Sequence, residues 1–194
     1  MVKEETAKKI RCFIALELSS EAKEELRKII DVLKPSGADI KWVSPESMHL
    51  TLKFLGSIEE EKAGKIAARL KGIAQGKEEF DVLLGGIGVF PGWERARVLW
   101  VGAGEGEEET KRIAGEVEDA MAEEGFEKES RPFSVHLTLG RMKSGKNKDK
   151  LKSLADEVEV ESAPSHIDRI VLFKSDLTPK GAIYTALDTA DFTG

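Results

Sequence analysis

His49-Leu50-Thr51-Leu52-Lys53-Phe54 and His136-Leu137-Thr138-Leu139-Gly140-Arg141 open with the same tetrapeptide. The chain holds three histidines in 194 residues, and two of them begin this motif. Each copy alternates polar with apolar residues, which predicts a strand with one buried face. His49, Thr51 and Lys53 would share one face, with Leu50, Leu52 and Phe54 turned into the core. In the second copy His136 and Thr138 share a face, and Phe133, Val135, Leu137 and Leu139 mark the buried side, with an irregularity near Phe133. Strict alternation puts Arg141 on the leucine face, so it reaches the histidine side only if the strand ends or twists. Each motif delivers one imidazole and one hydroxyl into a common space.

Outward from the motifs, the same element order occurs twice. A strand over 11–18 leads to a helix that opens at Ser19-Ser20-Glu21, runs to Leu33 and is stopped by Pro35 and Gly37. A short strand at 40–43 and the turn Ser44-Pro45-Glu46-Ser47 precede the first motif strand, 48–55, and a helix follows over 59–74. In the second half, strands over 80–90 and 97–101 flank a Pro91-Gly92 turn. A helix over 107–124, the second motif strand over 133–141, a helix over 148–158 and strands over 167–174 and 182–187 complete it. Gly85-Gly86-Ile87-Gly88 has no phosphate-loop spacing and reads as strand distortion. No Ser/Gly-rich linker separates the halves. The expectation is an α+β fold: one bilobal, mainly antiparallel domain over 11–194, with motif strands at the junction and a frayed extension over 1–10.

Composition narrows the function classes. The net charge of −6 argues against a broad electrostatic grip on nucleic acid, so such contact would be local. Cys12 is the only cysteine, which excludes an internal disulfide, and its apolar setting reads as a buried strand thiol. No apolar run is long enough for a bilayer and the N-terminus lacks a signal peptide's apolar region, so a cytoplasmic location and no membrane partner are expected. Asn147 is the only asparagine and Gln75 the only glutamine amid many Lys and Glu, a bias that fits a thermophile. A melting midpoint below about 65 °C, the top of the usual mesophile range, would contradict it.

The motif chemistry suits a phosphodiester. Hydrolysis must take a proton from the attacking water and give one to the departing oxygen, and two imidazoles can divide that work. Two hydroxyls can donate hydrogen bonds to the non-bridging oxygens. Strain in a cyclic phosphate would remove the need for a metal. A dinuclear metal site is the weaker reading, because neither motif places Asp or Glu at an alternating position beside its histidine. One His-Leu-Thr-Leu alone would be an ordinary amphipathic strand; the identical second copy changes the balance.

With these motifs the chain resembles the two-histidine (2H) phosphoesterase superfamily. Within it, the resemblance is to the bacterial and archaeal RNA 2′,3′-cyclic phosphodiesterases, also called 2′-5′ RNA ligases. Supporting segments include Arg11 to Leu16, Trp42-Val43, Gly88-Val89-Phe90-Pro91, Val98-Leu99-Trp100-Val101, Arg131-Pro132-Phe133 and Leu172-Phe173-Lys174-Ser175. Val135 departs from the family, which often has proline there. The resemblance implies a central cleft between two lobes, no cofactor, and hydrolysis of an RNA 2′,3′-cyclic phosphate end, or of small cyclic nucleotides, to a 2′-phosphomonoester. It implies His49 as proton donor to the leaving 3′-oxygen, His136 as acceptor from water, and Thr51 and Thr138 as phosphate ligands. The reverse reaction, 2′-5′ ligation, would use the same residues. A non-catalytic RNA-binding module is the reading from another class, disfavoured by two intact His/Thr pairs.

Further contacts are read from position. Arg141 is a candidate phosphate or RNA clamp, and Lys53 a candidate substrate contact. Lys143, Lys146, Lys148 and Lys150 form a basic path for RNA. Trp42, Phe54 and above all Trp93, in a Pro-Gly loop, are candidates for stacking on a base, although core packing is the default for Phe54. His166 lacks a Thr partner and reads as a surface residue. Nothing in the site requires a second subunit, so a monomer is expected.

Overall fold

The computed structural model describes residues 8–160, 164–179 and 181–194. β1 (Lys9–Leu16) begins before residue 11: Ile10 is 5% exposed and the Lys8 carbonyl accepts from Glu60 N–H. Lys9 and Ile10 are therefore part of the sheet, and Lys8 is tied to its edge, rather than a frayed extension; residues 1–7 lie outside the described residues. α1 (Ser20–Leu33) starts where the Ser19 hydroxyl accepts from Ala22 N–H. It buries Ala22, Leu26, Ile29, Ile30 and Leu33, each large side chain contributing roughly 1.5–3 kcal/mol. β2 (Ile40–Trp42), β3 (Leu50–Glu59) and α2 (Lys62–Ala74) complete the first half.

The segment read as one strand over 80–90 is two. β4 (Phe80–Val82) leaves to pair with β8 (Ser165–Ile167), while β5 (Leu84–Phe90) joins the main sheet. The glycine run of β5 carries a register shift between Gly85 and Ile87, the distortion its composition suggested. Then come β6 (Val98–Ala103), α3 (Glu107–Glu123), β7 (His136–Met142), α4 (Lys148–Glu157), β9 (Arg169–Thr178) and β10 (Gly181–Asp191). Lys180, between the last two strands, lies outside the described residues.

Two four-stranded antiparallel sheets result, ordered β10-β9-β1-β3 and β2-β7-β6-β5. Each draws strands from both halves of the chain. α2 and α3 pack on the first sheet; α4 packs against β5 of the second and α1 lies beside α4 and Trp42. The helices following β1 and β6 thus each cross to the sheet their own strand does not belong to. This reciprocal exchange gives the two lobes a pseudo-two-fold relation. One buried cluster, from Ile14, Leu50 and Leu52 through Leu137, Leu139 and Leu172, fills the helix side of both sheets. A smaller one, Phe13, Ala15, Val171 and Phe173, lies on the opposite, helix-free face. Among the described residues, no helix is long and apolar enough to cross a membrane.

Candidate active site

Both motif strands carry a bulge at the second leucine. In β3, Thr51 pairs with Ala15 but Lys53 pairs with Ile14, leaving Leu52 as the extra residue. In β7, Thr138 pairs with Trp100 but Gly140 pairs with Leu99, leaving Leu139 extra. A bulge resets the alternation by one residue. Lys53 and Gly140 therefore turn to the core side, whereas Phe54 and Arg141 turn to the helix-free face with His49, Thr51, His136 and Thr138. Three alternation-based expectations are corrected by this one device. Lys53 is 4% exposed and is no substrate contact; Phe54 is 62% exposed rather than packed in the core; Arg141 leaves the leucine face.

The motifs meet because β3 and β7, although in different sheets, approach each other and bury their leucines in one cluster. Phe54 and Arg141 hold equivalent positions, five residues beyond each histidine. The lobes thus present an exposed aromatic ring on one side and a guanidinium on the other. Among the described residues, Arg141 makes no ion pair, nor does Lys41, its cross-strand neighbour in β2.

A backbone group two residues upstream stands beside each imidazole. His136 Nδ1–H donates to the Ser134 carbonyl at 2.8 Å, directing Nε2 outward. The Ser47 backbone lies close enough to the His49 ring to favour its protonated form. The repeat is therefore Ser-x-His-Leu-Thr-Leu, a longer match that the sequence already displays at Ser47 and Ser134. His49 stacks on Phe13 at 4.5 Å and meets the edge of Tyr184 at 5.1 Å. His136 stands edge-on to Phe90 at 5.1 Å, and Phe90 packs on Trp100 at 5.0 Å. Trp100 lies over Gly88, where a Cβ would come within 2.3 Å of its ring. These rings were not among the candidates from sequence, because no local pattern marks them. Burial in the aromatic pocket pushes the His49 imidazole down to about 4, opposed by its hydrogen bond to Ser47 and aided by Lys23.

Other candidates lie elsewhere. Trp93 is half-buried against the main core, with Lys152 over its ring at 5.9 Å. Trp42 also packs against that core on the helix side. Of the basic stretch, Lys148 and Lys150 fall in the first turn of α4; Lys148 Nζ donates to the Glu94 carbonyl and Lys150 Nζ to the Pro35 carbonyl, so two of the four lysines hold elements together. His166 is exposed, as expected, and bridges Asp81 and Glu79, which hold it above the ordinary histidine range. Cys12 is 1% exposed, and burial pushes its thiol up to about 11.

The chain matches the family model of LigT-like phosphoesterases twice, over residues 16–100 and 101–184. It is 35% identical to an RNA 2′,3′-cyclic phosphodiesterase of Methanothermobacter thermautotrophicus over 93% of this chain and 97% of that protein. It is 34% identical to one of Thermotoga maritima over 95% and 97%. Among solved structures, a Thermus thermophilus protein superposes with a TM-score of 0.78 at 27% identity, covering 95% of this chain and 99% of that one. E. coli LigT complexed with 3′-AMP shares the fold at a TM-score of 0.72 and 23% identity, covering 96% of this chain and 100% of that one. The two tandem matches each contain one His-Leu-Thr-Leu motif, and the chain belongs to the LigT-like phosphoesterase family.

Proposed function

We propose that the chain hydrolyses RNA ends bearing a 2′,3′-cyclic phosphate to 2′-phosphomonoesters, without a metal. Two imidazole–hydroxyl pairs on the helix-free face, the His136 ring held by the Ser134 carbonyl and the His49 ring stacked on Phe13, carry this reading. Water attacks phosphorus as His136 Nε2 takes its proton; the bond from phosphorus to the 3′-oxygen breaks; His49 gives that oxygen a proton. Thr51 and Thr138 donate to the non-bridging oxygens, whose charge the transition state redistributes. Arg141 adds a fixed cation and Phe54 a ring on which the terminal base stacks. The names of the two relatives, each covered almost end to end, support the substrate class.

The donor role at His49 sets a condition. Burial keeps its imidazole neutral at pH 7, so it donates only once the substrate's anionic phosphate restores the charged form. Without that restoration His49 is the acceptor and the two roles exchange.

The test is turnover of an RNA oligonucleotide ending in a 2′,3′-cyclic phosphate, in excess EDTA. A 2′-phosphate product is expected, with activity lost in His49→Ala and His136→Ala. Activity abolished by EDTA would overturn the metal-free mechanism. No turnover with RNA binding retained would leave a binding module.

A further inference from the structure

Lys53 is a buried cation for which the proposed chemistry has no task. Its side chain is 2% exposed; Nζ lies 2.7 Å from Glu118 Oε2 and donates to the Glu127 carbonyl at 2.9 Å. The other Glu118 oxygen accepts from Glu129 N–H at 2.6 Å. Lys53 sits four residues after His49 in the first motif strand. Glu127 and Glu129 belong to the connector that leaves α3 on the first sheet and ends at His136 in the second.

The pseudo-symmetric position explains what this arrangement replaces. The other connector, from α1 to His49, forms β2 and pairs with β7 at Gly140. Gly140 is the counterpart of Lys53, and a Cβ there would come within 2.4 Å of Ile40 Cγ2. One connector is thus fixed by strand pairing over a residue without a side chain. The second passes β3, an edge strand with no partner on that side among the described residues, and is held by a long side chain instead.

We propose that Lys53 is a positioning residue: through Glu118 it ties the second connector to the first motif strand and so sets where His136 stands relative to His49. The Lys53 ammonium end of these charged hydrogen bonds is shielded from water, although Glu118 is partly exposed and its bond to Glu129 N–H lies at the surface. Only the kinetic readout rests on the phosphodiesterase reading.

The test compares wild type with Lys53→Met, Lys53→Arg, Glu118→Gln and the double variant Lys53→Met/Glu118→Met. Lys53→Met and Glu118→Gln each leave one partner of the pair unmatched, which can unfold the chain; the double variant removes both charges together, so it carries the test. A misplacement of about 1 Å is enough for a roughly 100-fold loss of rate. The double variant is expected to stay folded, with kcat down roughly 10- to 100-fold, KM near the wild-type value and partial recovery in Lys53→Arg. The His136 ring signals in NMR should move and those of His49 should not. An unchanged kcat and unchanged His136 signals in the folded double variant would overturn the proposal. If wild type shows no turnover, the functional reading fails and the His136 signals still decide the positioning role.

Discussion

Replacing His49 with glutamine should remove a defined part of this fold's acid sensitivity. In the unfolded chain the imidazole takes a proton near 6.5; in the folded protein it does so only near 4, because the charged form would sit on Phe13 and Tyr184 away from water. Between these values the unfolded state binds more protons, so stability rises with pH. The contribution is complete above about 6.5 and is lost as pH falls through about 4. At 1.36 kcal/mol per pKa unit the loss is about 3 kcal/mol, large against a typical total of about 5–15 kcal/mol. Urea denaturation of wild type and His49→Gln from pH 7.5 to 3.5 reads it directly. Carboxylates titrating in the same window act on both proteins and cancel in the difference. That difference should shrink by about 3 kcal/mol on acidification. A flat difference, or a His49 ring titrating in NMR at its unfolded value, would refute the reasoning. Inorganic phosphate should raise the ring's midpoint; if it does not, the donor role passes to His136.

Other expectations are simpler. Phe54→Ala should raise KM roughly 5- to 100-fold, the loss of about 1–3 kcal/mol of base stacking, with little change in melting temperature because the ring is exposed. Gly140→Ala should destabilise by about 1–3 kcal/mol through overpacking against Ile40, measured by denaturant midpoint. His166 is raised by Asp81 and Glu79. Its contribution is therefore present below the unfolded value of about 6.5 and lost as pH rises through the folded value. The melting difference between wild type and His166→Gln should accordingly fall from acid to alkaline pH.

The sequence reading reached the helices, the antiparallel class and the shared face of each His/Thr pair, because these depend on short periods that neighbouring residues spell out. It failed at the second leucine of each motif. Leu-Thr-Leu-Lys-Phe continues a perfect alternation, and nothing local reports that β1 and β6 oppose two residues with one. Lys53, Phe54 and Arg141 were all misplaced for that reason. The division of 80–90 into β4 and β5 was hidden similarly, since Phe80-Asp81-Val82-Leu83-Leu84 reads as one apolar run and only the distant Ser165–Ile167 claims its first part. The aromatic bed of His49 comes from β1, β9 and β10, an assembly that no window of sequence contains.

The crossing of α1 and α3 between sheets bears on how the molecule comes apart. Peeling one lobe away would pull a helix off the other, exposing Leu26 and Ile30 on one side or Ile113 and Val117 on the other. Neither lobe can melt while its neighbour persists, so the two motif strands should be lost in a single thermal transition. The same interlock delays assembly: strands drawn from both ends of the chain must find each other before either helix has a complete surface to rest on, which predicts folding slower than that of a helical bundle of equal length.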